Sequence, residues 1–317
     1  MTPLFIGIGN AGGAILDALM EYKEVRRAKP IVIKPKPEPE KESDKDDKIE
    51  AILKKVKGIE FAFLFSVLGD CDATIHIAEM LADLNIKIFL VGVLPAKRRG
   101  KREELINAYY SLEKLKEHVN SFIIVDNQRI AHLPNFEDYY PQYNRYIASC
   151  IADFLIGTWA SRPSSLVGKM QLSMSMPMPM DEVIEALSFE DEPGYVALSR
   201  ASELTKGLWG YIFPFLRHKP LDLRTLLHVS LDKLSVSGGP IGSEKSISFL
   251  RVPEYYIRSG SIDRELIEEF ILSHSKECHL AVFTTRRNIA AITNLFTYRL
   301  DQLERLREIR GIAYERV

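Results

Sequence analysis

The chain has 317 residues, of which 46% are hydrophobic and 27% are charged. This length exceeds one ordinary domain and predicts two domains with a large core. With 42 Lys and Arg against 43 Asp and Glu, the net charge is −1, so no general basic excess favours nucleic acid or an anionic membrane as a partner.

The cysteines and the apolar runs indicate the cellular setting. Cys71, Cys150 and Cys278 lie far apart without metal-ligand spacing, and three cysteines cannot form a complete disulfide framework. The first residues resemble a strand rather than a leader, and no apolar run is long enough to span a bilayer. We therefore expect a cytoplasmic protein without a membrane span or a metal site.

The first element is a strand that leads into a glycine-rich turn. An apolar run over 4–8 passes into Gly7-Ile8-Gly9-Asn10-Ala11-Gly12-Gly13, and residues 14–22 then carry apolar side chains at helical spacing. This pattern predicts a strand, a glycine turn and an amphipathic helix.

Further apolar runs alternate with helical stretches. We predict strands over 31–33, 61–65, 86–93 and 122–125, and helices over 49–56, 74–84 and 103–119. The segment 34–48 contains almost no apolar residues, which predicts a disordered surface loop. Continuous apolar strands alternating with helices predict an α/β fold with a parallel, Rossmann-like sheet flanked by helices.

The second half of the chain begins with a long helix predicted over 142–159. Strand patterns follow at 246–252 and 279–285, and apolar residues at helical spacing predict a closing helix over 288–309. We therefore expect a first domain over 1–160, including the long helix, and a smaller α+β domain over 161–317.

This series of elements resembles the tubulin/FtsZ family from near residue 1 to near residue 310, in the manner of a diverged archaeal FtsZ-like member. The turn at 7–13 resembles the family's first nucleotide loop, where backbone N–H groups contact phosphate. The segment 90–95 resembles the strand and loop that approach the ribose, and 123–130 resembles the loop that reads ribose and base. Asn144 falls where the family places a guanine-contacting Asn.

The resemblance implies a tubulin/FtsZ GTPase-type first domain with GTP or GDP, and Mg²⁺, as the cofactors of an intact site. It assigns no catalytic residue here. The remnant nucleotide-binding residues that it implies are Gly7, Gly9, Asn10, Ala11, Gly12, Gly69, Asp70, Asp72, Thr74, Pro95, Arg102, Asn127 and Asn144.

The family's glycine-rich second phosphate loop, Gly-Gly-Gly-Thr-Gly-(Ser/Thr)-Gly, is absent. Residues 65–74 occupy its place, with Cβ atoms at Val67 and Leu68 where glycine would let phosphate approach. Each carboxylate of Asp70 and Asp72 would repel a phosphate by roughly 4 kcal/mol at 4 Å. Either these carboxylates hold a bridging Mg²⁺, or they cap the helix predicted from Thr74.

Two further departures concern hydrolysis. The charged linker replaces the region that senses the γ-phosphate in the family, and residues 164–171 contain no carboxylate to orient water. Such a group contributes on the order of two to four decades in rate. We therefore predict a cytoskeletal or cell-division-related pseudo-GTPase that acts by self-assembly, as a filament or dimer, or by binding another protein.

Two alternatives remain open. The first is an active GTP-hydrolysing protein of the same fold with a rearranged phosphate site. The second is an NAD(P)-dependent oxidoreductase, because Gly7, Gly9 and Gly12 also satisfy the G-x-G-x-x-G pattern of dinucleotide enzymes.

Two other segments have open interpretations. The basic cluster at 97–102 is a solvated loop, or it binds phosphate, an acidic partner or nucleic acid. The methionine-rich segment 170–180 is an edge strand, a partner surface or a Cu(I) site.

Overall fold

A computed structural model of the chain describes residues 3–27, 31–33, 58–69, 72–97, 101–159, 178–207, 218–238 and 242–315. The predicted loop 34–48, the predicted helix 49–56, Asp70 and most of the methionine-rich segment lie outside these residues. So does the middle of the basic cluster.

The chain divides into two compact units. The first comprises Met1–Ala148, Glu190–Pro193 and Glu304–Val317, and the second comprises Ser149–Phe189 and Gly194–Leu303. In this division the C-terminal residues belong to the first unit, whereas the sequence places all of 161–317 in the second domain. The domain boundary at 160 stays a prediction.

The first unit contains a parallel sheet. Its elements are β1 (Leu4–Gly7), α1 (Gly9–Met20), α2 (Lys23–Arg27), β2 (Ile31–Ile33), β3 (Phe61–Val67), α3 (Asp72–Asp83), β4 (Lys87–Leu94), α4 (Arg102–Leu115) and β5 (Ser121–Asp126). The described strands follow the order β2-β1-β3-β4-β5, and every neighbouring pair is parallel. The helix α5 (Tyr140–Trp159) then carries the chain from the first unit into the second.

Aromatic side chains fill the centre of this sheet. The rings of Phe63 and Phe89 stack with centroids 5.0 Å apart, and Phe5 meets Phe63 edge to face at 5.7 Å. All three are fully buried, which explains why these strands read as continuous apolar runs. The predicted α/β class with a parallel, helix-flanked sheet is confirmed.

The second unit contains a mixed sheet. Its elements are α6 (Met180–Leu187), β6 (Gly194–Leu204), α7 (Leu223–Leu231), β7 (Ser243–Pro253), α8 (Glu254–Arg258), α9 (Arg264–Leu272), β8 (Ser275–Thr285) and β9 (Ile289–Tyr298). The order is β6-β9-β7-β8, with β9 antiparallel to both of its neighbours and β7 parallel to β8.

The predicted closing helix over 288–309 is wrong in its first half. Residues 289–298 form β9, and the last helix, α10, spans Glu304–Tyr314. The strand pairs on both sides, and nearly every side chain in it is buried. A strand that is buried on both faces shows no alternation of apolar and polar residues, so its apolar residues also fit helical spacing.

A buried charge cluster links elements of the second unit. The carboxylate of Asp153, from α5, accepts hydrogen bonds from Arg200 Nε at 2.8 Å and from the Thr293 hydroxyl at 3.0 Å. Arg251 Nη1 lies 2.9 Å from the same carboxylate. No helix in the described part of the chain is long and apolar enough to cross a membrane.

Candidate functional site

The carboxyl ends of β1 and β3 define the candidate site. From β1 the chain goes to β2 on one side of the sheet, and β3 lies on the other side. Connections that diverge in this way leave a crevice at the carboxyl ends of the strands, where open α/β sheets bind ligands. The predicted nucleotide loops follow β1, β3, β4 and β5, so the fold places them along this one edge.

The first loop, Gly7–Gly13, packs tightly against the end of β3. The N–H of Ile8 donates to the Phe65 carbonyl at 2.8 Å. A Cβ at Gly12 would lie 2.0 Å from the same carbonyl oxygen, so only glycine allows the start of α1 to approach this strand. Gly9 has φ +68°, which also favours glycine.

The N-terminus of α1 is open to a ligand. Ile8 provides no side-chain cap, and the first turn contains no acidic residue. Gly9 and Asn10 are exposed and Ala11 is half-exposed. A helix end with unsatisfied N–H groups and no competing carboxylate suits a phosphate or another anion.

The second loop, Val67–Thr74, uses its own amides internally. The N–H of Leu68 donates to the Val93 carbonyl at 2.9 Å, and the N–H of Gly69 donates to the Ser111 hydroxyl at 3.2 Å. Leu68 is also almost fully buried. These two N–H groups already have partners inside the protein and are not offered to a ligand.

The start of α3 completes the second loop. The helix begins at Asp72, two residues before the predicted start at Thr74, and places an acidic side chain in its first turn. Thr74 is fully buried, and its hydroxyl lies 2.6 Å from that of Ser66. Thr74 therefore ties α3 to β3, while the exposed Asp72 lines a shallow groove of about 260 Å³ together with Lys114.

The loop after β5 is fixed by Asp126, which is fully buried. Its carboxylate accepts from the Gln128 N–H at 3.0 Å, and its carbonyl accepts from the Tyr143 hydroxyl at 3.2 Å. Asn127 follows it directly, and Asn144 follows Tyr143. The hydrogen bond from Tyr143 therefore holds the start of α5 at the end of β5. The predicted ribose and base contacts, Asn127 and Asn144, are both half-exposed.

The loop after β4 contacts the last helix, α10. The Pro95 carbonyl accepts from Arg305 Nη2 at 2.7 Å, and Arg102 pairs with Glu315 at 3.0 Å on the surface. Lys97 pairs with Glu308. Burial would raise the pKa of Glu308, but hydrogen bonds from Lys97 and Arg305 outweigh it and hold this pKa below its ordinary value.

Sequence reasoning assigned no role to Arg305, Ser66 or Ser111. Arg305 lies on an otherwise apolar face of α10, and nothing in the local pattern distinguishes it from a solvated arginine. Asp126 offered a weak signal, since it is a carboxylate that directly follows a buried strand. No group of three His, Cys, Asp or Glu side chains in the described ranges is arranged to hold a metal ion.

Solved structures of several proteins resemble the chain closely in fold. CetZ1 from Haloferax volcanii, a GDP-bound monomer, aligns with a TM-score of 0.71 at 16% identity over 100% of this chain and 99% of its own. CetZ2 from Haloferax volcanii, a GTPγS-bound protofilament, aligns with a TM-score of 0.71 at 17% identity, over 99% and 98%. An empty FtsZ dimer from M. jannaschii aligns with a TM-score of 0.59 at 14% identity, over 94% and 88%.

No protein-family profile and no curated protein matches the chain. The structural likeness shows a shared fold over nearly the whole chain. The predicted tubulin/FtsZ-type fold is therefore confirmed.

Proposed function

We propose that this chain is a cytoplasmic, cytoskeletal protein of the tubulin/FtsZ type that acts by self-assembly or by binding another protein. Its guanine-nucleotide binding is weak or absent, and it does not hydrolyse GTP by the route of the family. A nucleotide, where one binds, contacts the first loop at the N-terminus of α1.

The internal hydrogen bonds of the second loop carry this proposal. The N–H groups of Leu68 and Gly69 donate within the protein, and Asp72 adds negative charge beside them. A terminal phosphate would have to displace two existing bonds and approach a carboxylate. Both effects oppose binding of the β- and γ-phosphates.

The first loop supports the retention of some anion binding. It keeps the tight contact between Gly12 and β3 and the open N-terminal turn of α1. An α-phosphate or a similar anion would find free N–H groups there. Among the described residues the strand order is β2-β1-β3-β4-β5, which is the order of the mononucleotide-binding doubly wound folds and favours a mononucleotide over NAD(P).

Assembly is proposed by extension from proteins of the same fold. CetZ2 is described as a protofilament and the M. jannaschii protein as a dimer. For this chain we expect that the γ-phosphate does not control assembly, because the N–H groups of Leu68 and Gly69 in the second loop already donate within the protein. A filament or a closed dimer would then form in the same way with and without GTP.

Sedimentation velocity over a range of protein concentrations, with and without GTP and Mg²⁺, tests this function. We expect concentration-dependent assembly whose extent is the same in both conditions, and electron microscopy of the heavy fraction would distinguish filaments from dimers. Assembly that requires GTP would contradict the proposal. A chain that stays monomeric throughout would leave only the binding of another protein.

The second candidate function is GTP hydrolysis at a rearranged site. The exposed carboxylate of Asp72 at the start of α3 favours it, because an oxygen ligand there would suit a Mg²⁺ ion bridging to phosphate. In that case Asp72→Asn would abolish Mg²⁺-dependent phosphate release. Under the first proposal the wild-type chain releases no phosphate above the blank.

A further inference from the structure

The last helix, α10, contacts the candidate site at three places along the segment 95–102. Arg305 donates to the Pro95 carbonyl, Lys97 pairs with Glu308, and Arg102 pairs with Glu315. The helix also packs along α4, where the hydroxyls of Tyr109 and Tyr314 lie 3.2 Å apart. The helix α10 therefore contacts the described residues on both sides of the loop that follows β4.

Arg305 differs from the other contacts because it is buried. Its side chain is 2% exposed, whereas the surface pair Arg102 and Glu315 is 58% and 70% exposed. A guanidinium at this depth requires partners for its N–H groups and its charge. It anchors the helix, while the exposed pairs contribute little.

The guanidinium joins the loops after two neighbouring strands. Nη2 donates to the Pro95 carbonyl at 2.7 Å, and Nε lies 3.3 Å from Asp126 Oδ1. Nη1 donates to Glu308 on its own helix. The planar fork of donors lets one side chain fix the end of β4 and the end of β5 together, which a lysine ammonium on a flexible stem does less well.

We propose that Arg305, from its place on α10, is a positioning residue for the ribose and base end of the nucleotide pocket. The proposal rests on the function proposed above only in its effect on nucleotide affinity. When α10 is docked, Pro95 and Asn127 are held in place. When it is displaced, the Asp126 carboxylate loses its contact with the Arg305 guanidinium, and both loops relax while the first loop does not.

Amide hydrogen exchange of the full chain without nucleotide tests the positioning itself. The variants are Arg305→Met, Arg305→Lys and, as a control on the exposed face of the same helix, Arg307→Met. We expect Arg305→Met to raise exchange at 94–97 and 126–131 by about tenfold or more, with residues 8–13 unchanged. Arg305→Lys gives an intermediate effect, and Arg307→Met gives none.

A uniform rise in exchange over the first unit, or no change at the two loops, would overturn the proposal. If Arg305→Met does not fold, the double variant Arg305→Met with Asp126→Asn removes both charges of the buried pair. We expect this variant to fold and to show the same local rise in exchange. Normal protection at both loops in this variant would contradict the role of Arg305.

Titration of the same variants with GDP separates this proposal from the proposed function. If the wild-type chain binds GDP, Arg305→Met weakens binding by about tenfold and Arg307→Met leaves it unchanged; equal affinity in wild type and Arg305→Met would refute the effect on the pocket. If the wild-type chain binds no nucleotide, the result agrees with the absent binding allowed by the proposed function, and the exchange result alone decides whether Arg305 positions the loops.

Discussion

The two loops that flank the crevice between β1 and β3 are built in opposite ways. The loop after β1 has an open helix N-terminus, two exposed residues at its tip and no acidic group in the first turn of α1. The loop after β3 closes on itself through the N–H groups of Leu68 and Gly69 and begins α3 with Asp72. One loop presents an open helix end, and the other uses these N–H groups within the protein.

This difference indicates that both loops are held by contacts within the protein, although only the first presents an open helix end. The first loop is also a structural joint, because Gly12 lets α1 pack directly on β3. The second loop is held by internal bonds, and the paired hydroxyls of Ser66 and Thr74 tie its end to β3. Each loop is therefore stabilised without nucleotide.

The largest effect is expected from replacing Gly12 by Ala. The new Cβ would lie 2.0 Å from the Phe65 carbonyl oxygen, so α1 must move away from β3. We expect a loss of about 3 kcal/mol in the free energy of unfolding, measured by urea denaturation.

Gly13→Ala is the matched control for that change. A Cβ at Gly13 meets no atom within 4 Å, and alanine favours the helix by about 0.5–1 kcal/mol. Equal free energies of unfolding in the two variants would show that the close contact of Gly12 with β3 does not stabilise the fold.

The next effect concerns the internal bond of the second loop. Thr74→Val removes the hydroxyl that pairs with Ser66 at 2.6 Å in a buried site. We expect the free energy of unfolding to fall by about 1–2 kcal/mol, and Thr74→Ser to retain most of it. A loss in Thr74→Ser with none in Thr74→Val would show that the methyl group matters and the hydroxyl pair does not.

A comparable effect on stability is expected from Gly9→Val, which should act mainly on binding. Gly9 has φ +68°, and a Cβ there meets nothing within 4 Å, so the cost is the backbone conformation alone, about 1–2 kcal/mol. The side chain would project at the exposed tip of the first loop and abolish the binding of any nucleotide. Unchanged binding measured by calorimetry would mean that the first loop is not the pocket.

The smallest effect is expected from Asp72→Asn. The side chain is exposed, so the free energy of unfolding should change by less than about 0.5 kcal/mol. Removing its charge should raise the affinity for GTP about fivefold relative to that for GMP. A loss of GTP affinity would instead support a Mg²⁺ ligand at Asp72 and the second candidate function.

The sequence predicted the parallel sheet and the first loop well because both depend on local patterns. The run at 61–65 is apolar throughout, as a strand buried on both faces requires, and the turn at 7–13 needs glycine for steric reasons. Strand β9 was not predicted because burial on both faces removes the alternation of apolar and polar residues that identifies a strand. Arg305 was missed because its partners, Pro95 and Asp126, lie about 180 to 210 positions away, and no local pattern encodes such a contact.

The affinity series GMP, GDP and GTP, measured by calorimetry with Mg²⁺ on the wild-type chain, tests the central claim most directly. The closed second loop predicts that GTP binds no more tightly than GMP or GDP and that no phosphate is released. Affinity that rises with each added phosphate, reaches the micromolar range for GTP and is accompanied by turnover would contradict the account.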